Sequence, residues 1–204
     1  VGKKKVYMTA SVAQEKGYAE KDPTADVEGH DACRKVCILA SLAFGKHVYP
    51  NQVETEGITN ITLEDVSYIE NAGGVIKLLG QIKYINDNEI AAFVSPAVVY
   101  NGSQLASVKD VFNAILVRGD AVGDVCFYGP GAGKLPTASA VVADIIDCAK
   151  HSERKKIFGW GAGAEDYVVD YKERIEMPFY VRAKATPAEI NAKFSDVKFL
   201  SRKG

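Results

Sequence analysis

The order of elements predicts an α+β fold: a mixed, largely antiparallel β-sheet covered by helices. Three observations carry this. Helical periodicity governs residues 31–44, two hairpin-like pairs of apolar runs lie between residues 75 and 128, and a second long helix follows only at 137–150. Helices therefore precede and follow a block of strands instead of alternating with them, which argues against a parallel βαβ sheet.

Residues Met8 to Lys16 (MTASVAQEK) read as a short helix closed by Gly17. Tyr18 to Gly29 (YAEKDPTADVEG) is polar, acidic and carries Pro23, the composition of a loop. Asp31 to Phe44 (DACRKVCILASLAF) places Ala32, Val36, Leu39, Ala40 and Ala43 at helical spacing, and Gly45 ends it. Thr62 and Asp65 form a capping-box pattern for a helix to Asn71, closed by Gly73-Gly74. The runs Val75 to Ile85 and Glu89 to Tyr100 flank Asn86-Asp87-Asn88, a hairpin signal. Phe112 to Arg118 and Val122 to Tyr128 flank Gly119-Asp120, a second one. A glycine-rich turn, Gly129 to Lys134, then leads to the helix Thr137 to Lys150. His151 to Glu165 is charged and glycine-bearing, as linkers are; Met177 to Ala185 (MPFYVRAKA) reads as one more strand and Ala188 to Phe194 as a short helix.

Bulk properties exclude several functions. At 204 residues and 47% hydrophobic composition the chain can bury a core. With 25 Lys+Arg against 26 Asp+Glu, the net charge of -1 gives no global field for nucleic acid or an anionic membrane. The longest apolar runs, such as Ile90 to Tyr100, are too short to span a bilayer. The basic start, Val1-Gly2-Lys3-Lys4-Lys5, has no apolar segment behind it and no initiator Met, so it is read as a processed or partial chain without a signal peptide. Cys33, Cys37, Cys126 and Cys148 lack metal-ligand spacing and read as four buried small apolar residues in a reducing compartment, hence the cytoplasm. His30, His47 and His151 are scattered, so no metal site is expected. Trp160, between two glycines, reads as a packed aromatic, and Ser41 and Ser139 lack a histidine partner for nucleophilic catalysis.

Two places offer chemistry. The first is Glu20, Asp22, Asp26, Asp31 and Lys35. Asp31 and Lys35 stand at i, i+4, so their side chains share a helix face. Carboxylates on the loop before that helix suit a small cationic group such as an ammonium, and a lysine among them suits proton transfer at a substrate oxygen. Spacing alone favours a solvated acidic loop with a routine ion pair. The second is Gly129 to Lys134, where a strand leaves through a helix and main-chain N–H groups face outward. A phosphate-binding loop fails there at Tyr128 and Leu135, and the dinucleotide fingerprint fails on its Gly129-x-Gly131-x-Gly133 spacing. What remains is either a tight turn or bare main chain that lets a cofactor approach closely.

Gly17-Tyr18-Ala19-Glu20-Lys21-Asp22-Pro23-Thr24-Ala25-Asp26-Val27-Glu28-Gly29-His30-Asp31, with Lys35 beyond, resembles the signature of the homoserine dehydrogenase family. Val108 to Ala114 and Gly119 to Asp144 resemble that family's later stretch. The resemblance implies the family's catalytic-domain fold and an NAD(P)-dependent interconversion of L-homoserine and L-aspartate 4-semialdehyde, in threonine, methionine and isoleucine biosynthesis. It assigns Lys35 as the acid/base group at the reacting oxygen and Asp31 as its orienting partner and a substrate contact. Glu20 would bind the substrate at its amino group, Asp26 would support that end, and Gly17 and Gly133 would meet the cofactor. The proton-donating role suits a lysine among carboxylates, where the charged form is favoured.

The same resemblance implies a division of the chain. Residues 1–150 would be a substrate-binding, catalytic and homodimerising domain, incomplete at its N-terminus; 151–176 a linker; and 177–204 the start of a small regulatory-like domain. The NAD(P) would be held mainly by an N-terminal domain that this chain is expected to lack, together with a second active-site lysine. The competing expectation is a non-catalytic amino-acid-binding or dimerising module that kept this fold.

Overall fold

The computed structural model describes residues 22–154, 157 and 159–201. The helix expected at 8–16, with Gly17 and Glu20, lies outside the described residues. The expected α+β class is the observed one.

Helix α1 (Thr24–Val27) is a single turn inside the stretch expected to be a loop. Asp22 nucleates it: its Oδ1 accepts from the Thr24 amide (3.0 Å) and from the Thr24 hydroxyl (2.6 Å). Four residues are too few for periodicity to register. Gly29, left-handed at φ 80°, turns the chain into α2 (His30–Phe44), and Gly45, left-handed at φ 72°, ends it. The buried face of α2 is Cys33, Val36, Cys37, Ala40 and Ser41. It is rotated toward the cysteines from the expected stripe, since Ala43 is exposed. Burial, and then the neighbouring Cys33 thiol, push the Cys37 thiol up to about 12, so it stays a protonated, inert packing group. The expectation of four buried cysteines fails at Cys148, which is exposed, and at Cys126, which is half-buried. Both lie on elements whose apolar faces are uncovered.

The first sheet has the order β1-β3-β2. Strand β1 (Glu54–Thr55) runs parallel to β3 (Glu89–Tyr100), with Thr55 opposite Val94. Strand β2 (Gly74–Asn86) pairs antiparallel to β3 across the Asp87–Asn88 turn. Ile90, Ala91, Ala92, Phe93 and Val94 are all buried, because each face of β3 has its own cover. Ile90, Ala92 and Val94 join the α2 core with Val48, Val53 and Tyr167. Ala91 and Phe93 face the other way, onto Tyr171, flanked by Val169, Ile175 and Met177. The Phe93 and Tyr171 rings stack at 3.8 Å between centroids.

Part of the stretch expected as linker is therefore core. Tyr167 and Tyr171 are buried, Val169 donates to the Ile90 carbonyl at 2.9 Å, and the one-turn helix α5 (Tyr171–Arg174) holds Tyr171 in place. Its glycines and charges mask an apolar cluster, Tyr167-Val168-Val169-x-Tyr171, that closes the second face.

A separate two-stranded sheet pairs β4 (Phe112–Gly119) with β5 (Gly123–Pro130), as the second hairpin signal predicts. Helix α4 (Lys134–Lys150) starts three residues before the expected Thr137. Pro136 is tolerated there because the first helical N–H groups have no intrahelical acceptor to lose. No residue of α4 is buried, and Val141, Val142, Ile145 and Ile146 are 48–61% exposed.

Residues 177–185 do not form the expected strand; they find no ladder partner among the described residues. With no partner strand to pair with, the segment is anchored by side chains instead. Helix α3 (Leu63–Asn71) opens with the predicted capping box, in which the Thr62 amide (2.7 Å) and hydroxyl (2.7 Å) donate to Asp65. The Tyr180 hydroxyl donates to the other oxygen of the same buried carboxylate at 2.7 Å, and Arg182 bonds both Asp65 and the Thr62 hydroxyl. At the far end of α3, Asn71 donates to the Ser201 carbonyl at 2.8 Å. Between them the short helix α6 (Pro187–Asn191) replaces the longer one expected to Phe194.

Burial opposes the charge on Asp65, but the Thr62 hydroxyl and amide, the Tyr180 hydroxyl and Arg182 outweigh it and hold its carboxyl below the usual range. Burial, and then the bond to Asp65, push the Tyr180 phenol up to about 12. A depressed folded pKa gives stability that is present above the unfolded carboxylate value and lost as pH falls through the folded one. Urea midpoints measured from about pH 5 down to about pH 2 should therefore fall less steeply in Asp65→Asn than in the parent. Equal slopes would refute this account of Asp65.

Candidate functional site

The carboxylate–lysine pair sits where α1 turns into α2. Gly29 is buried, and its carbonyl accepts from the Cys33 amide at 2.8 Å, starting the helix. Asp31 and Lys35 follow on the solvent side. Asp31 Oδ2 and Lys35 Nζ are 2.7 Å apart, with the side chains 45% and 61% exposed. The contact predicted from i, i+4 spacing is thus made directly. Asp26 is exposed on α1, and its carbonyl accepts from the Gly29 amide at 3.3 Å, so its turn is tied to the start of α2. Glu20 and Gly17 lie outside the described residues.

Gly133 stands elsewhere, at the start of α4 behind β5, with φ 115°. At Gly129, a Cβ would meet nothing within 4 Å. Gly131 packs differently: a Cβ there would fall 1.9 Å from the Asn113 amide nitrogen. The turn accordingly offers open main chain on one side and is backed by Asn113 on the other. A cleft of about 280 Å³ between residues 51–54 and 168–171 contains none of the expected site residues.

Sequence reasoning passed over residues 54–58, whose main chain supports the α1–α2 elbow. Glu56 N–H donates to Val94 O and Ile58 N–H donates to Val27 O, both at 2.8 Å. The available signal was one glycine, Gly57, between the two-residue β1 and the α3 cap. Among the described residues, no group of three or more His, Cys, Asp or Glu side chains is placed to hold a metal ion. None of the described helices is long and apolar enough to cross a membrane.

These features meet known proteins at one place. The homoserine dehydrogenase family model matches residues 3–146. The homoserine dehydrogenase of Bacillus subtilis is 45% identical over 139 residues, 68% of this chain and 32% of the relative. That of Corynebacterium glutamicum is 46% identical over 153 residues, 73% of this chain and 34% of the relative. Among solved structures, the Thiobacillus denitrificans homoserine dehydrogenase superposes with a TM-score of 0.66 at 41% identity, covering 79% of this chain and 38% of that one. The S. aureus enzyme at pH 7.5 gives 0.64 at 46%, covering 71% and 36%. The chain belongs to the homoserine dehydrogenase family, and it spans about a third of the length of the curated relatives it matches.

An exposed i, i+4 ion pair stabilises a helix by only about 0.3–0.5 kcal/mol. Lys35→Ala should therefore leave the thermal midpoint nearly unchanged, by calorimetry or circular dichroism. A large drop would mean that the pair is structural.

Proposed function

We propose that this chain supplies the substrate-binding and proton-transfer part of a homoserine dehydrogenase, interconverting L-homoserine and L-aspartate 4-semialdehyde. The observation that carries the reading is the direct Asp31–Lys35 contact inside the family signature. In the reducing direction, the Lys35 ammonium gives a proton to the oxygen of the former aldehyde as that carbon gains hydride. In oxidation, neutral Lys35 takes the hydroxyl proton back. Asp31 holds Lys35 on the substrate side and bonds the substrate. Glu20 binds the ammonium group, and Asp26 supports that end.

NAD(P), when bound, delivers or accepts the hydride. The residues present suit its approach: the main chain at Gly129 is open, Gly133 holds a positive φ of 115°, and Gly17 is the matching contact from the signature. The dinucleotide is held mainly by a separate N-terminal domain. In the same reading, residues 1–150 form the body of the catalytic and dimerising domain, 151–176 lead out of it with Tyr167 and Tyr171 packed into its core, and 177–204, tied back to Asp65, open a regulatory-like segment. A homodimer fits the uncovered apolar residues of the second sheet, Ile115, Val117, Val125 and Phe127 among them. Free thiols fit a cytoplasmic enzyme.

The test is homoserine-dependent formation of NAD(P)H by the full natural gene product that carries this sequence. Lys35→Ala is expected to lower turnover by about 10²–10⁴-fold, the range of general acid–base catalysis. Glu20→Ala should act mainly on the KM for the amino acid. Full turnover in Lys35→Ala would sink the assignment of that lysine. A parent protein that binds L-homoserine yet never reduces NAD(P) would turn the reading toward a non-catalytic module.

A further inference from the structure

We infer that Gly57 is a positioning residue for the Asp31–Lys35 site, an inference that rests on the dehydrogenase reading above. After β1, residues 56–58 pass beneath the α1–α2 elbow, held to β3 by Glu56 N–H to Val94 O and to α1 by Ile58 N–H to Val27 O, both 2.8 Å. A Cβ at residue 57 would lie 2.3 Å from the Val27 carbonyl oxygen, 2.5 Å from Glu28 Cα and 3.0 Å from Glu28 C. All three are main-chain atoms, so no rotamer change relieves the contact. The elbow itself has to move.

Its other flank is also closed. A Cβ at Gly29 would meet the Thr55 methyl at 3.1 Å and a Val94 methyl at 3.2 Å. The elbow is therefore seated against β1 and β3 at two neighbouring glycines, and Asp31 begins two residues after the second. Any lift of the elbow at residue 57 displaces Asp31 and, one turn on, Lys35, relative to the rest of the enzyme. A misplacement of about 1 Å is enough to cost ~10²-fold in rate. Gly57 is not left-handed, so alanine there brings the collision without the backbone strain.

Gly45 supplies the control at the opposite end of α2. It is left-handed at φ 72°, with nothing within 4 Å of a Cβ, so Gly45→Ala brings strain without collision. The experiment is steady-state kinetics on the full natural gene product for the parent, Gly57→Ala, Gly45→Ala and Lys35→Ala, each below its thermal midpoint. Gly57→Ala should lower kcat by about tenfold or more and raise the amino-acid KM several-fold, with the dinucleotide KM within about twofold. Gly45→Ala should lower the thermal midpoint and leave kcat and both KM values within about twofold.

If Gly57→Ala does not fold, Gly29→Ala takes its place: its two nearest contacts are the Thr55 and Val94 methyl groups, and Gly45→Ala, left-handed like it, gives the part of its effect that is due to backbone strain alone. The positioning role then requires that Gly29→Ala/Thr55→Ser regain part of the lost kcat, and no recovery overturns it. If Gly57→Ala folds and behaves as Gly45→Ala does while Lys35→Ala is inactive, positioning by Gly57 is overturned and the dehydrogenase reading stands. Full turnover in Lys35→Ala overturns both.

Discussion

Everything described here hangs on β3 being covered on both faces. A strand with five consecutive buried residues, Ile90 to Val94, cannot rest on one helix layer, because alternate side chains point in opposite directions. Helix α2 satisfies one set. The Phe93–Tyr171 stack, whose second ring lies 78 residues downstream of the first, satisfies the other. The parallel pairing of β1 then brings residues 54–58 alongside β3, and it is against this edge that the α1–α2 elbow is seated. Sheet, elbow and ion pair form one chain of mechanical dependence from a wholly apolar strand to an exposed lysine.

Much of this was legible from residue order. The long helix at 30–44, both hairpins and the Thr62–Asp65 cap carry strong local signals: apolar periodicity, paired glycine or asparagine turns, and a hydroxyl-carboxylate capping pair. The contact between Asp31 and Lys35 follows from helix geometry alone. The role proposed for it does not, since an identical pair decorates many solvated helices; that proposal draws on the surrounding glycine-acid-proline pattern.

What residue order concealed has a common cause. Tyr167 and Tyr171 are core residues only because β3 offers a second face, a fact of topology and not of local pattern. Met177 to Ala185 has strand composition, yet its alternate residues Tyr180 and Arg182 are taken up by a helix cap rather than by a ladder. The role of Gly57 is likewise invisible locally, being defined by what passes above it. In each case a partner remote in sequence decides the outcome, which a window of neighbouring residues does not contain.

The shared cap at Asp65 also implies an order of events as the chain emerges during synthesis. The Thr62–Asp65 box is complete as soon as α3 exists, before Tyr180 and Arg182 have been made. Tyr180 and Arg182 appear more than a hundred residues later and convert that solvated cap into a buried, charge-compensated one. Closure of the C-terminal segment is thus a late docking onto a receptor already made. A ribosome that stops before Tyr180 leaves α3 capped but its carboxylate open to solvent.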